Sequence, residues 1–302
     1  MHAQLPYRER MDMSDDIREF LVTRRGRIGP EQAGLPAYGG KRRVPGLRRE
    51  EVALLAGISV EYYTRLERGN ARGVSESVLD GIARALQLDE AESAHLLDLV
   101  RAANAGRSPK RPPTQQRVRP SLQRLLDSMT VPAFVQNGRL DILYANSLGR
   151  ALFSEFFGDP GNAANGARTI FLNPRATDFY KQWDTVANDV VALLRAQAGR
   201  DPYDRALTDL IGELSTRSEE FRRLWARHEV RFHRSGIKHF HHPVVGDLTL
   251  TYEALEPPGD PGLTIFVYVA EPNSPSHEAL DLLGSWTASP STVATTDADR
   301  DA

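Results

Sequence analysis

Residues 48–69 of this chain read Arg-Arg-Glu-Glu-Val-Ala-Leu-Leu-Ala-Gly-Ile-Ser-Val-Glu-Tyr-Tyr-Thr-Arg-Leu-Glu-Arg-Gly. Their types and spacing suit contact with the edges of base pairs. Two short helices meet at a steep angle when the first has a small residue at the crossing and the turn accepts a left-handed backbone, needs that Ala53 and Gly57 meet. Ile58 then plugs the core, Ser59 caps the second helix through its hydroxyl, and Tyr63 and Leu66 face inward. Val60, Glu61, Tyr62, Thr64 and Arg65 are left facing outward. On a helix entering a major groove, Arg can pair with guanine, and Thr or Val can touch a thymine methyl. Lys41, Arg42, Arg43, Arg48 and Arg49 flank the unit, and Ser59 stands at the start of its second helix. From there they can contact backbone phosphates, which supplies affinity and register without sequence information. An ordinary amphipathic hairpin with solvated basic loops would show some of the same spacing. Because one unit reads few base pairs, a homodimer on paired half-sites is the expected form.

A second group of residues suits an apolar ligand. Trp183, Phe221, Trp225 and Phe240 bring large apolar area to segments that must cover a single sheet, as pocket lining or as plain core. Arg223, Arg227 and His228 could meet a ligand carboxylate, or simply form a solvated helix face. His233, His239, His241 and His242 are the best case for a metal or for catalysis. On a strand, however, His239 and His241 share one face while His242 turns to the other with Phe240, and no Asp or Glu completes a ligand set. With no phosphate loop and no nucleophile motif, an enzyme is not expected. A pure interaction module without any small molecule is a third reading of this region.

Elements must position these residues. Apolar periodicity predicts helices over 14–25, 48–56, 60–68, 75–86 and 90–103, a five-helix unit with a Gly- and Pro-rich loop before Gly46. Asp89 and Glu92 form a capping box at the last helix. Residues 104–120 are basic and carry Pro109, Pro112, Pro113 and Pro120, so they read as a linker. Strands follow at 131–136 and 140–145, joined by Asn137-Gly138 as a tight hairpin turn. Helices are predicted near 146–157, 176–198, 204–214 and 218–227, then strands near 229–235, 237–245, 247–255 and 263–270. The tail 285–302, rich in Ser, Thr, Ala and Asp, reads as disordered.

A length of 302 residues suits two domains, here 1–103 and 121–284. The net charge of −2 conceals an asymmetry, since residues 1–120 carry +5 and the remainder −7; a basic front suits a polyanionic partner. The absence of cysteine excludes disulfides and thiolate sites. With no leader-like or membrane-length apolar run, a cytoplasmic location is expected.

The joint occurrence of Ala53, Gly57, Ile58, Ser59, Leu66, Glu67 and Gly69 resembles the phage-repressor, or Xre-like, class of helix-turn-helix. That resemblance implies an all-α DNA-binding domain in which Glu67 braces the fold internally. The segment Val131–Phe157 (VPAFVQNGRLDILYANSLGRALFSEFF), Asn173-Pro174-Arg175, Trp183, Phe221–His228 and Lys238–Thr251 together resemble the MmyB-like ligand-binding domain of bacterial regulators. It implies an α+β, PAS-like fold, an antiparallel sheet with helices on one face, and a fatty-acid-like ligand. On this reading a ligand in the second domain shifts the state of the first, through the linker and the helix near Leu122–Met129.

Overall fold

A computed structural model describes residues 13–36, 46–104, 116–157, 164–227 and 234–288. Among the described residues the first domain has five helices: α1 (Met13–Arg27), α2 (Arg49–Ala56), α3 (Val60–Glu67), α4 (Glu76–Ala85) and α5 (Glu90–Asn104). They close over one core that includes Ile17, Phe20, Leu21, Leu47, Val52, Tyr63, Leu66, Ile82, Leu96 and Leu99. Each fully buried side chain of this size contributes about 1.5–3 kcal/mol. The caps are those expected. The Glu92 amide donates to Asp89 Oδ1 at 2.8 Å while Glu92 Oε2 accepts from the Asp89 amide at 3.2 Å.

The second domain opens on α6 (Pro120–Asp127) and the strands β1 (Ala133–Asn137) and β2 (Ile142–Ala145). A helical stretch follows: α7 (Ser147–Leu152), α8 (Ser154–Phe157), α9 (Gly166–Leu172), α10 (Ala176–Phe179), α11 (Trp183–Arg200), α12 (Arg205–Arg217) and α13 (Glu219–Trp225). β3 (Ser235–His242), β4 (Gly246–Leu255), β5 (Leu263–Val269) and α14 (Pro275–Ala288) complete it. All strand pairs are antiparallel in the order β2-β1-β5-β4-β3. This is the α+β, PAS-like layout that the sequence led us to expect.

Burial along the strands follows position in the sheet. β1 is buried at every residue, because both of its faces are covered, whereas β4 alternates between core and solvent. The inner face carries Phe134, Phe240, Leu248, Leu250, Tyr252, Phe266 and Tyr268, packed under α7, α10 and α14. α9, α11, α12 and α13 form a core of their own beside it, with Tyr180 touching both. Helices cover the inner face as expected, and α6 in addition lies over β1 and β5 on the opposite face. There Val118, Leu122 and Leu126 meet Ala133, Val135, Leu263 and Ile265.

Several expectations need correction. The Asn137-Gly138 connection is longer than a two-residue turn: Gln136 pairs with Ile142, and the positive φ of 65° falls on Leu140. Asn137 Oδ1 organises this loop by accepting from the Arg139 amide (2.9 Å) and the Asp141 amide (3.0 Å). The helix expected over 176–198 is broken at Tyr180–Gln182, where Tyr180 bridges to Phe240 and the Lys181 amide donates to the His239 carbonyl at 3.1 Å. Val118 to Pro120 belong to the second domain's packing and not to a free linker. α14 runs on through Ala288, four residues into the stretch read as a disordered tail. The expected strand near 229–235 lies outside the described residues except for its end, where β3 begins at Ser235.

Candidate nucleic-acid interface and sensor core

The turn between α2 and α3 forms because Gly57 takes φ +69°, ψ 32° and sends its amide back to the Leu54 carbonyl at 3.2 Å. Ser59 then caps α3, its Oγ accepting from the Tyr62 amide at 3.1 Å. With Tyr63, Leu66 and Glu67 buried, the rest of α3 faces out. Val60, Glu61, Thr64 and Arg65 line a surface concavity of about 540 Å³ together with Arg68 and Asn70. Tyr62 is half-buried, and the Arg65 guanidinium lies over its ring, 4.9 Å from the centroid. The five residues read from sequence as base-facing thus stand on one surface, four of them around one hollow. Arg68 and Asn70 join them there. Asn70 was missed because it lies past the helix, where helical spacing gives no direction for its side chain.

The brace under this surface is Glu67. It is 1% exposed and accepts from Arg25 Nε at 2.5 Å and from Arg49 Nε, with the Tyr63 hydroxyl at 3.5 Å. Arg25 also donates to the Leu47 carbonyl at 2.9 Å, so a single carboxylate ties α1, the entry to α2, and α3 together. Burial beside Glu67 pushes the Tyr63 phenol well above its usual pKa. Arg49, read from sequence as a phosphate contact, therefore has its Nε on Glu67 while remaining 46% exposed. Arg48 and Ser59 are exposed. Lys41, Arg42 and Arg43 lie outside the described residues.

In the second domain the four aromatic candidates separate into two places. Phe240 sits in the inner-face cluster with Phe153 (5.9 Å), Phe179 (5.2 Å) and Tyr268 (5.8 Å). Trp183, Phe221 and Trp225 belong to the core of α9–α13, where Phe221 stacks on Trp225 at 5.5 Å and meets Phe171 edge-on at 5.1 Å. Trp183 donates from Nε1 to the Ile170 carbonyl at 3.1 Å. Sequence spacing could not separate them, since membership of a cluster depends on how the helical layer docks beside the sheet. Arg223 is half-exposed and pairs with Glu220 along α13, while Arg227 is exposed and accepts from Arg27 Nη2 through its carbonyl at 3.5 Å. His228 lies outside the described residues.

The histidines divide as the strand period requires. His239 bonds Thr249 Oγ1 (3.0 Å) and His241 bonds Asp247 (2.7 Å) on the outer face, while His242 is buried on the inner one. His242 Nε2 donates to the Ala151 carbonyl at 3.2 Å, and Nδ1 accepts from the Val244 and Val245 amides at 3.2 and 3.4 Å. Burial holds its pKa below the ordinary histidine value. Among the described residues no group of three or more His, Asp or Glu is placed to hold a metal; His233 is outside them. A buried asparagine, not singled out from sequence, stitches the domain's start. Asn146 accepts from the Ala133 and Gly149 amides (3.0 and 2.8 Å) and donates to the Leu126 and Val131 carbonyls (3.1 and 2.8 Å).

Comparison with known proteins gives two matches. A helix-turn-helix domain matches residues 18–96. The family described as MmyB-like transcription regulator ligand binding domain matches residues 118–283. No curated protein matches the chain. No helix among the described residues is long and apolar enough to cross a membrane.

Proposed function

The chain belongs to the family of MmyB-like transcription regulators, and from that premise we propose that it binds operator DNA as a homodimer in the cytoplasm, under control of an apolar, fatty-acid-like molecule. The DNA half of this reading is carried by one observation. The outward row Val60, Glu61, Thr64 and Arg65 lines a hollow at the first domain's surface, above a helix locked from beneath by Glu67. That is the presentation a major-groove helix needs, with Tyr62 and the stacked Arg65 as base-facing partners. Arg48, Ser59 and the Lys41–Arg43 run take the phosphate-facing roles, and Arg49 adds to them with the part of its guanidinium not facing Glu67.

The ligand half rests on the matched sensor family and on the aromatic interior. Phe134, Phe153, Phe179, Phe240 and Tyr268 converge between sheet and helices, a lining suited to an acyl chain once the rings part. Trp183, Phe221 and Trp225 form a second candidate wall. Arg223 on α13, and Arg227 and His228 after it in the chain, are the candidates to meet a ligand carboxylate. The close ring packing favours one other reading, a second domain that binds a protein and no small molecule.

Two experiments test this. Selection from a random DNA library by the purified chain should yield a site bound at least about 10³-fold above nonspecific DNA at physiological salt. Arg65→Ala should weaken that site by about 1–3 kcal/mol without altering the fold. No selected site would sink the DNA reading. Native mass spectrometry of the purified chain, followed by denaturing extraction, should release an apolar acid at near one per chain; an empty protein would favour the interaction module.

A further inference from the structure

α11 carries Ala196 and Gly199 on the side that meets the first domain. Ala196 packs against that domain's core, and a Cβ at Gly199 would stand 2.8–2.9 Å from the imidazole of His95 and 3.6 Å from Leu99. The helices α11 and α5 are thus in direct contact, closer there than any larger residue would allow. Weaker links surround them: Arg200 with Asp98 at 3.5 Å and Arg234 with Glu90 at 3.1 Å.

One turn before Gly199 on the same helix is Arg195, 5% exposed. Its guanidinium lies over the Trp225 indole, 4.2 Å from the centroid, and donates to the Trp225 carbonyl. Trp225 is the end of a ring column, Trp225 on Phe221, Phe221 on Phe171, Phe171 on Trp183, that runs through the helical layer of the sensor. Toward the first domain, Arg195 feels the charges of Asp16, Glu19 and Arg24 on α1, and burial pulls its pKa down to about 10. Arg24, 2% exposed, sits 4.8 Å over Phe20 and 2.8 Å from Glu92, and Phe20 meets His95 edge-on at 5.3 Å. A buried charged contact of this kind is costly to form and confers position more than stability, since apolar residues of similar shape would often hold at least as well.

We propose that Arg195 is an interdomain latch: seated on Trp225 one turn from the contact of Gly199 with His95, it fixes the face of α11 that meets the helix-turn-helix domain and makes any shift of the Trp225 ring column a shift of the DNA-binding domain. Arg195 is a positioning residue in this scheme. It meets the second candidate wall of the sensor at Trp225. The latch rests on the two-domain regulator reading, but its test does not need the sensor ligand.

The test uses the full chain, and the tryptophans make it possible, because all three (Trp183, Trp225 and Trp286) are in the second domain. Tryptophan fluorescence therefore follows the sensor's unfolding, while far-ultraviolet circular dichroism follows both domains. In the wild type the two thermal transitions should coincide, and saturating DNA selected in vitro should raise both midpoints together. In Arg195→Met, which keeps the apolar stem, and in Gly199→Leu, which wedges the helices apart, the transitions should separate by about 4–8 °C. DNA should then raise the dichroism midpoint alone. Separate transitions in the wild type would overturn the latch. So would coincident ones in both variants, or a fluorescence midpoint that DNA raises equally in wild type and variants. If DNA raises neither midpoint in any of these proteins, the DNA reading fails instead, and coincidence of the two curves alone still decides the latch.

Discussion

Glu67 shows how a single side chain supports a surface it does not belong to. Its carboxylate is buried among Arg25, Arg49 and the Tyr63 hydroxyl, so removing it leaves cations facing a dry hole. Glu67→Ala should lower the stability of the first domain by about 3 kcal/mol, the lower end for a broken buried pair because Arg49 keeps partial access to water. Denaturant unfolding followed by circular dichroism would measure it. His242 supplies a prediction with a pH sign. Its Nδ1 accepts two backbone amides and burial depresses its pKa, so the unfolded chain, titrating near 6.5, binds the proton more readily than the folded one. The associated stability is whole above pH 6.5 and drains away as the pH falls below it toward the depressed folded value. Melting of the second domain by tryptophan fluorescence should therefore drop between pH 7 and pH 5, and His242→Gln should flatten that drop.

At the scale of elements, the α2–α3 turn depends on conformation more than on space. A Cβ at Gly57 would meet nothing within 4 Å, yet the backbone there is left-handed. Gly57→Val should cost about 1–2 kcal/mol from that strain alone, and Gly57→Asn distinctly less, since Asn tolerates the left-handed region. Chemical denaturation midpoints of the two variants give the comparison; equal losses would mean that packing, not φ, sets the turn. The same reasoning explains which helices were visible in the sequence. α1 to α5 carry apolar periods, and α3 and α5 are in addition capped by Ser59 and Asp89. α9 and α14 do not stand out by period, though each had a cap to announce it: Asn165 accepts from the Arg168 amide at 3.0 Å, and Ser274 from the His277 amide at 3.2 Å, with Pro275 opening α14.

For the whole molecule, charge changes along the chain. Residues 1–103 balance 16 Lys and Arg against 16 Asp and Glu, residues 104–120 carry +5 and the remainder −7, so the net positive charge that would attract a polyanion lies in the segment between the domains, next to the local basic runs of the first. If Arg48 contacts a phosphate, Arg48→Ala should lessen the slope of log affinity against log salt by about 1 and weaken binding evenly across DNA sequences. Titrations at several salt concentrations on selected and unrelated DNA would check this; an unchanged slope would remove Arg48 from the phosphate set. The domains are also not two beads on a string. The sequence suggested communication through the linker and α6, but α6 lies over the sheet's outer face at β1 and β5, and the first domain meets α11.

What the sequence by itself determined about this protein is local or periodic. The helix-turn-helix follows from Ala53, Gly57, Ser59 and the inward residues of α3, because caps, turns and the 3.6-residue period act over a few positions. The strands β3 to β5 and the division of the histidines follow from the two-residue period in the same way. Only the tertiary structure decided the rest. It put Phe240 in one core and Trp183, Phe221 and Trp225 in another, closed Arg49 onto Glu67 across 18 residues of chain, and set Gly199 against His95. These pairings join segments far apart in the chain. On α11 the docking face mixes Arg195, Ala196 and Gly199, and that composition gives no hydrophobic stripe to read. The meaning of such residues is set by what packs against them, which no period along the chain can carry.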